Sequence, residues 1–214
     1  MRPSSLLVTT ALASALATSL VAQTVPEVKL PPSPMGQAAV QLGGRWEKTA
    51  DGERYRDGKW LVVAYGRPLL RGRTDIFGSG ADYGKAVMAG APLWRAGANT
   101  TTTITTQVPL MIGGKRLEPG VYNLLVELKP DAWTLVVTTQ ERQASFDPND
   151  KVRLSGANNY DPKFDVVRTA MKMDSVDRKL EEFTITFLTL SDREFLLALA
   201  WENTIACATI AIAK

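Results

Sequence analysis

The chain contains no histidine and a single cysteine, Cys207, and these two shortages exclude much of enzyme chemistry. Without histidine there is no Ser-His-Asp or Cys-His nucleophile system, and no His-ligated zinc, copper or iron site. With one cysteine, no disulfide can form within the chain. Any reaction would have to use carboxylates, lysine, tyrosine, arginine, serine or threonine. We therefore predict no catalytic residue, no metal ligand and no cofactor.

The lone thiol lies in the segment ENTIACATIAIA (202–213), among small apolar residues. A reactive cysteine needs an electropositive and partly exposed environment, which this segment does not offer. We expect Cys207 to be buried and inert.

The chain also lacks a large excess of basic residues. Lys and Arg number 25 against 22 Asp and Glu, giving a formal net charge of +3, and no block of five or more basic residues occurs. A nucleic-acid-binding protein usually carries a basic patch or stripe. The balance therefore argues against nucleic acid as a partner.

Long apolar runs are absent except at the N-terminus, where residues 6–21 are apolar or small and follow Arg2. This pattern predicts a signal peptide over residues 1–22, cleaved after Ala22, and hence a periplasmic or secreted protein. A membrane anchor is the alternative, but it needs about 20 strongly apolar residues. We expect no stable membrane span after cleavage. Residues 23–37 hold a cluster of prolines and predict an extended lead-in.

The rest of the chain, residues 38–214, has the strand periods and turn signals of one β domain. VYNLLVEL (121–128) and EEFTITFLTL (181–190) alternate apolar and polar residues, as half-buried strands do. Gly113-Gly114 predicts a tight hairpin, and Arg56-Asp57-Gly58-Lys59 predicts another between RWEKTADGERY and KWLVVAYGRP. Further strands are expected at WTLVVTT (133–139) and DVVRTAMKM (165–173). The fold class is all-β: a single antiparallel β-sandwich, or an open barrel.

Two segments are ambiguous by periodicity. FLLALAWE (195–202) is apolar on both faces, so it fits a central strand or a buried helix, and the β-branched tail that follows favours a strand. Residues 140–164 have no period and are expected to form a long loop.

Three groups of polar residues have structural explanations that require no bound ligand. The threonine run at 100–106 fits a strand, because β-branched residues suit a pleated surface. The glycine-rich segment 78–92 lacks the Gly-Lys-Ser/Thr ending of a phosphate loop and is expected to be a connecting loop. The acids between Asp147 and Asp165 are oxygen ligands of the kind calcium uses, but their spacing matches no calcium loop.

Glu202 follows Trp201 in the most apolar stretch of the chain, and it is the best position for a carboxylate with a perturbed pKa. Paired with Asp161 or Asp165, it would give the two acids of a glycosidase-like hydrolase. The alternative is a buried salt bridge to an arginine, because an unpaired buried carboxylate is costly.

Several motifs occur in a recognisable order. They are Tyr65-Gly66-Arg67-Pro68, Arg71-Gly72-Arg73, Trp94-Arg95-Ala96-Gly97-Ala98-Asn99, Tyr160-Asp161, Asp165-Val166-Val167-Arg168 and Trp201-Glu202. In this order they resemble a family of secreted bacterial proteins known only as a domain of unknown function, with a Tyr-x-Arg-Pro, Trp-Arg-x-Gly-Ala-Asn and Trp-Glu signature. The resemblance covers about residues 38–212. In the family pattern an acid tends to follow the asparagine, where this chain has Thr100.

The resemblance implies an all-β exported domain and supplies no catalytic residues. Its motif residues form a candidate ligand-binding site or a structural polar network: Arg67, Arg73, Trp94, Arg95, Asn99, Tyr160, Asp165, Arg168 and Glu202. Arginine suits carboxylates and other anions because its guanidinium is a planar fork. Trp94 or Tyr160 would be a stacking wall for the ligand.

We expect a non-catalytic binding or envelope-associated module rather than an enzyme. Its partner would be a small molecule, a glycan or an envelope protein. A carboxylate-dependent hydrolase and a calcium-dependent adhesion domain are the alternatives.

Overall fold

The computed structural model describes residues 27–214, so the predicted signal peptide at 1–22 lies outside the described residues. Within the described range, twelve strands carry nearly all the regular structure. They are β1 (Met35–Leu42), β2 (Arg45–Thr49), β3 (Gly52–Arg56), β4 (Lys59–Gly66), β5 (Thr102–Thr106), β6 (Leu110–Ile112), β7 (Lys115–Leu117), β8 (Gly120–Glu127), β9 (Thr134–Thr138), β10 (Asp165–Ala170), β11 (Lys172–Thr189) and β12 (Glu194–Ile212). The first strand starts at Met35, slightly before the predicted domain boundary at Ala38.

The strands form two main sheets. One has the order β1-β4-β5-β8-β9-β10 and the other the order β11-β12-β6-β7, and every neighbouring pair is antiparallel. Both orders are those of open sheets, and apolar residues from both sheets form one buried cluster between them. The predicted all-β sandwich is confirmed, and the barrel alternative is not needed.

An aromatic cluster fills the middle of the sandwich. Its members are Phe77, Trp94, Trp133, Phe183 and Trp201, with ring centroids 4.9 to 6.4 Å apart. Most of these pairs meet edge to face, the arrangement favoured by the ring quadrupoles. The cluster joins the β12 sheet to the loops that follow β4 and precede β5.

The threonine run is a strand, as predicted, over Thr102–Thr106. Thr102, Ile104 and Thr106 are buried, whereas Thr103 and Thr105 on the other face are half-buried. The buried hydroxyls are satisfied by backbone carbonyls: Thr102 donates to Ala96 at 2.7 Å and Thr106 to Val108 at 2.6 Å. Hydrogen bonding thus removes the cost of burying these threonines.

One of the two predicted hairpins is confirmed and the other is wrong. Strands β6 and β7 pair around Gly113 and Gly114, whose φ angles of 55° and 75° suit a tight turn. Strands β3 and β4, on either side of the predicted turn at Arg56–Lys59, do not pair with each other. Instead β3 pairs with β2, and β4 pairs with β1, so that Leu42 lies opposite Lys59.

The ambiguous segments follow the predictions. FLLALAWE is part of strand β12, and residues 140–164 form a loop with a single 3-10 turn at Pro162–Phe164. The glycine-rich segment 78–92 connects β4 to β5, and it carries a 3-10 turn at Gly80–Asp82 and a short helix, α1, at Lys85–Met88. Cys207, expected to be buried, is only half-buried. Burial still raises the pKa of its thiol, which disfavours the reactive thiolate.

Candidate functional site

The Trp-Arg-Ala-Gly-Ala-Asn segment is a tightly specified loop between α1 and β5. Trp94 begins it by pairing with Val126 through two backbone hydrogen bonds of 2.8 Å each. Ala96, Gly97 and Asn99 then have φ angles of 50°, 148° and 65°. Positive φ is unfavourable for alanine, so the loop conformation is imposed by its surroundings.

The Tyr-Gly-Arg-Pro segment at the end of β4 packs directly on this loop. A Cβ atom on Gly66 would lie 2.0 Å from the carbonyl oxygen of Ala98, and one on Gly97 would lie 2.7 Å from the carbonyl oxygen of Gly66. Only glycine permits such backbone contact at both positions. Two motifs that are about thirty residues apart in the sequence therefore form one structural unit.

A cleft of about 280 Å³ opens beside this unit. Its charged and amide groups are Arg73, Arg95 and Asn99, and its apolar lining residues include Pro68, Ile76, Ala86, Val87, Ala98 and Trp201. Of the described residues that line the cleft, none is acidic. We call it the arginine cleft.

Arg95 is partly buried in the arginine cleft. Its Nη1 donates to the backbone carbonyl of Asn99 at 2.9 Å, and within residues 27–214 no carboxylate lies at salt-bridge distance from it. Burial lowers the pKa of its guanidinium, and no neighbouring charge offsets that effect. An arginine stays charged nonetheless, so a partly desolvated guanidinium with no carboxylate partner from the described residues lies beside the cleft, packed against the backbone of Gly156.

Arg73 is fixed by backbone contacts. Its Nε donates to Leu70 at 2.9 Å and its Nη2 to Leu69 at 2.5 Å, both through backbone carbonyls. The guanidinium carbon lies 5.9 Å from the centre of the Trp201 ring, in reach of a cation–π interaction. No acid from the described part of the chain lies at salt-bridge distance from it, and within that part its Nη1 makes no hydrogen bond.

Asn99 connects the cleft to the proline-rich lead-in. Its side-chain amide donates to the carbonyl of Ser33 at 3.1 Å, and the backbone N–H of Arg67 donates to Pro34 at 2.9 Å. Arg67 itself pairs with Glu182 at 2.5 Å, so its charge is compensated within the fold. Of the predicted residues, the structure therefore brings Arg73, Trp94, Arg95 and Asn99 to the cleft, and places Arg67 in an ion pair.

Tyr160, Asp165 and Arg168 form a separate network. The Tyr160 hydroxyl donates to Asp165 at 2.5 Å, and Arg168 donates to Asp165 and to the Tyr160 oxygen at 2.9 Å each. Arg168 also pairs with Glu127. Burial and the Asp165 carboxylate raise the pKa of Tyr160 above its ordinary value. These residues fix β10 to β8 and the preceding loop, and none of them lines the arginine cleft.

Glu202 is an anchor for the loop after β4. Its carboxylate accepts from the backbone N–H groups of Asp75 at 2.7 Å and Ile76 at 2.9 Å, and from Lys179 at 2.7 Å. The expected salt bridge is present, but its partner is this lysine and not an arginine. Glu202 has a φ of 52°, an unusual value within a strand, where the β11–β12 register shifts.

The pKa of Glu202 does not suit a general acid. Burial acts to raise it, but the bonds from Lys179, Ile76 and Asp75 outweigh burial and hold it below the usual value. The proposed partner acids are engaged elsewhere: Asp161 caps the 3-10 turn and pairs with Lys163, and Asp165 pairs with Arg168. A general acid at neutral pH needs a raised pKa, which Glu202 lacks.

The two residues predicted as stacking walls differ in position. Trp94 lines the cleft but has no exposed surface, because it packs in the aromatic cluster, and Tyr160 belongs to the other network. The apolar walls that sequence reasoning missed include Val87 of α1 and Trp201. The Trp201-Glu202 motif was a sequence signal that could have identified Trp201 as a wall residue. No motif marks Val87, because it lies in a glycine-rich segment that resembles a connecting loop.

The acids considered as calcium ligands are occupied by the protein. Asp147 accepts from Asn149 and Asp150 from Val152 and Arg153, through backbone N–H groups. These bonds lower the pKa of Asp150 to about 2. From Glu27 to Lys214, no three acidic or thiol side chains are grouped so as to hold a metal ion.

In the same range no helix has the length and apolar character to cross a membrane. A search of curated proteins gives no match to the chain, and a search of solved structures gives none either. A comparison with protein families gives one match, described as a protein of unknown function, DUF2911, over residues 47–210. That range includes the Tyr-Gly-Arg-Pro segment, the motif loop and both arginines of the cleft. The chain therefore belongs to the DUF2911 family.

Proposed function

We propose that this protein is an exported, non-catalytic β-sandwich that binds a small organic anion in the arginine cleft. The observation that carries the proposal is Arg95, a partly buried guanidinium with no counter-ion from the described residues. A partly desolvated charge of this kind is unfavourable without a counter-ion, and an anionic ligand in the cleft would relieve that cost. Arg73 adds a second cation at the same cleft.

The walls suggest the rest of the ligand. Ala86 and Val87 offer accessible apolar surface at the cleft, whereas Ile76 and Trp201 are buried, so the preferred anion has a small apolar body and a carboxylate at one end. Guanidinium groups match carboxylates in shape and can donate two parallel hydrogen bonds. A volume of about 280 Å³ suits a compact molecule such as a small aromatic or branched acid.

The engagement of Glu202 in the fold also favours a binding role over hydrolysis. The carboxylate-dependent hydrolase has no support from Glu202, whose pKa is lowered and whose oxygens anchor the loop. Export to the periplasm or beyond rests on the N-terminal sequence, residues 1–22. There the protein would take up or present a small acid outside the cytoplasm.

Calorimetric titration with benzoate, phenylacetate and hexanoate tests the proposal, with benzamide as the neutral match to benzoate. We expect at least one acid to bind, benzamide not to bind, and Arg95→Gln or Arg73→Gln to weaken binding by about tenfold or more, as expected for losing a charged hydrogen bond. Arg178→Gln is the matched control, because Arg178 is exposed and does not line the cleft. Equal binding of benzoate and benzamide, or unchanged affinity in Arg95→Gln, would contradict the proposal.

A further inference from the structure

A second cavity of about 520 Å³ lies on the other side of the motif loop. Its floor is formed by Ala64 of β4 and Thr103 of β5, and its rim by the loop residues 142–146 and 154–156. Asn99 borders both this cavity and the arginine cleft. The volume falls within the range of about 300 to 1,000 Å³ that is typical of small-molecule sites. We call it the hydroxyl cavity.

The walls of the hydroxyl cavity are held in place by internal hydrogen bonds. Thr101 donates to the carbonyl of Gly156 at 2.8 Å, and the backbone N–H of Gln143 donates to Leu154 at 2.8 Å. The Gln143 side chain is fully used within its own loop, donating to Asp147 and Asp150 at 3.2 Å each and accepting from Asp147 at 3.0 Å. The cavity is thus formed before any ligand arrives, which lowers the entropy cost of binding.

Other polar groups in the lining of the hydroxyl cavity do not take part in the hydrogen bonds that hold its walls. The hydroxyls of Thr103, Ser145 and Ser155 and the guanidinium of Arg142 make no side-chain hydrogen bond to another residue of the described range. Phe146 stands on the rim with 77% of its surface exposed. Across the described lining no carboxylate is found, and Arg142 is the one cation. The lining is therefore mostly neutral, rich in hydroxyls and bordered by an aromatic ring.

We propose that the hydroxyl cavity binds a saccharide. Hydroxyl groups both donate and accept, so three of them can match the mixed donors and acceptors of a sugar. The planar fork of Arg142 can donate to two adjacent sugar oxygens. The apolar C–H face of a pyranose ring packs on an aromatic face, and the exposed ring of Phe146 provides one. A single cation without a second positive group argues against a multiply charged anion such as a nucleotide.

This inference is independent of the arginine cleft and can fail separately. Saturation-transfer NMR and calorimetry with cellotriose, maltotriose and chitotriose test it on the full mature chain. At least one trisaccharide is expected to bind, with contact signals from its ring protons. Phe146→Ala and Thr103→Val should each weaken that binding by about fivefold, in line with the value of an aromatic contact or a hydrogen bond. Both variants should keep the benzoate affinity of the parent protein.

Val152→Ala is the matched control, since Val152 is also exposed on this loop but does not line the cavity. Circular dichroism would verify that each variant is folded. Absence of binding for all three trisaccharides would overturn the saccharide assignment. So would a trisaccharide that binds Phe146→Ala and Thr103→Val as tightly as it binds the control.

Discussion

Arg95 is partly buried and Glu202 is buried, and both lie near Trp201. Only the charge of Glu202 is compensated by neighbouring groups of the described chain. Glu202 receives two backbone N–H groups and a lysine. Arg95 receives no counter-ion from the described residues and only donates to one backbone carbonyl. A charge compensated on every side is typical of a structural anchor, and an uncompensated one is typical of a binding site. The two residues share a motif set but have different roles.

Replacing Glu202 with glutamine tests the anchor. The glutamine amide would place a donor against a backbone N–H, and Lys179 would lose its partner. We expect Glu202→Gln to lower the free energy of unfolding at pH 7 by about 2 kcal/mol, a moderate value because Lys179 is half exposed. Urea unfolding measures this loss, with Glu194→Gln, an exposed strand acid, as the control.

The same variant has a pH signature. The pKa of Glu202 is lower in the folded protein than in the unfolded chain, where it is about 4.3. The unfolded chain therefore takes up the proton first as the pH falls, and the stabilisation present at pH 7 declines below about pH 4.3. The stability gap between the parent protein and Glu202→Gln should narrow in that acidic range. A gap that is constant from pH 7 to pH 3 would contradict the anchor role.

Among the elements, the β2–β3 hairpin is the least attached to the sandwich. Within residues 27–214 its two strands pair only with each other, and most of their residues are exposed. Because Leu42 and Lys59 are opposite each other in β1 and β4, residues 43–58 extend an existing hairpin and do not build the core. The hairpin therefore adds little to the stability of the domain.

Replacing residues 43–58 with Asn-Gly should leave the domain folded. That dipeptide favours a two-residue turn, and Leu42 and Lys59 already have the required register. We expect the melting temperature to fall by less than about 4 °C and benzoate binding to be unchanged. A fall of more than about 10 °C, as for losing a core element, would show that the hairpin supports the sandwich.

At the level of the element, some strands follow from the local sequence, whereas some strand pairings do not. Strands such as β5 and β8 were predictable, because their residue types and periods are local properties of the chain. The pairing of β4 with β1 was not, because Arg56–Lys59 has the sequence of a turn whether or not the flanking strands pair. Lys179 was not predictable as the partner of Glu202, because two register shifts in β11 place it there.

At the level of the whole molecule, the arginine cleft forms where four segments meet. The loop after β4 supplies Pro68 and Arg73, α1 supplies Val87, the motif loop supplies Arg95 and Asn99, and β12 supplies Trp201. The sequence indicated which residues to consider, but only the packing of Gly66 on Ala98 brings them to one place. Arg67, Tyr160, Asp165, Arg168 and Glu202 were grouped with them by motif, and the fold uses these residues for support.

The most direct test of the anion site is a crystal structure of the mature protein soaked with 4-bromobenzoate, with the bromine located by anomalous scattering. The account predicts one bromine site between the apolar walls of the arginine cleft, with the carboxylate within hydrogen-bond distance, about 2.7 to 3.2 Å, of both Arg73 and Arg95. A fully occupied bromine site elsewhere, with the cleft holding only water, would contradict the central claim.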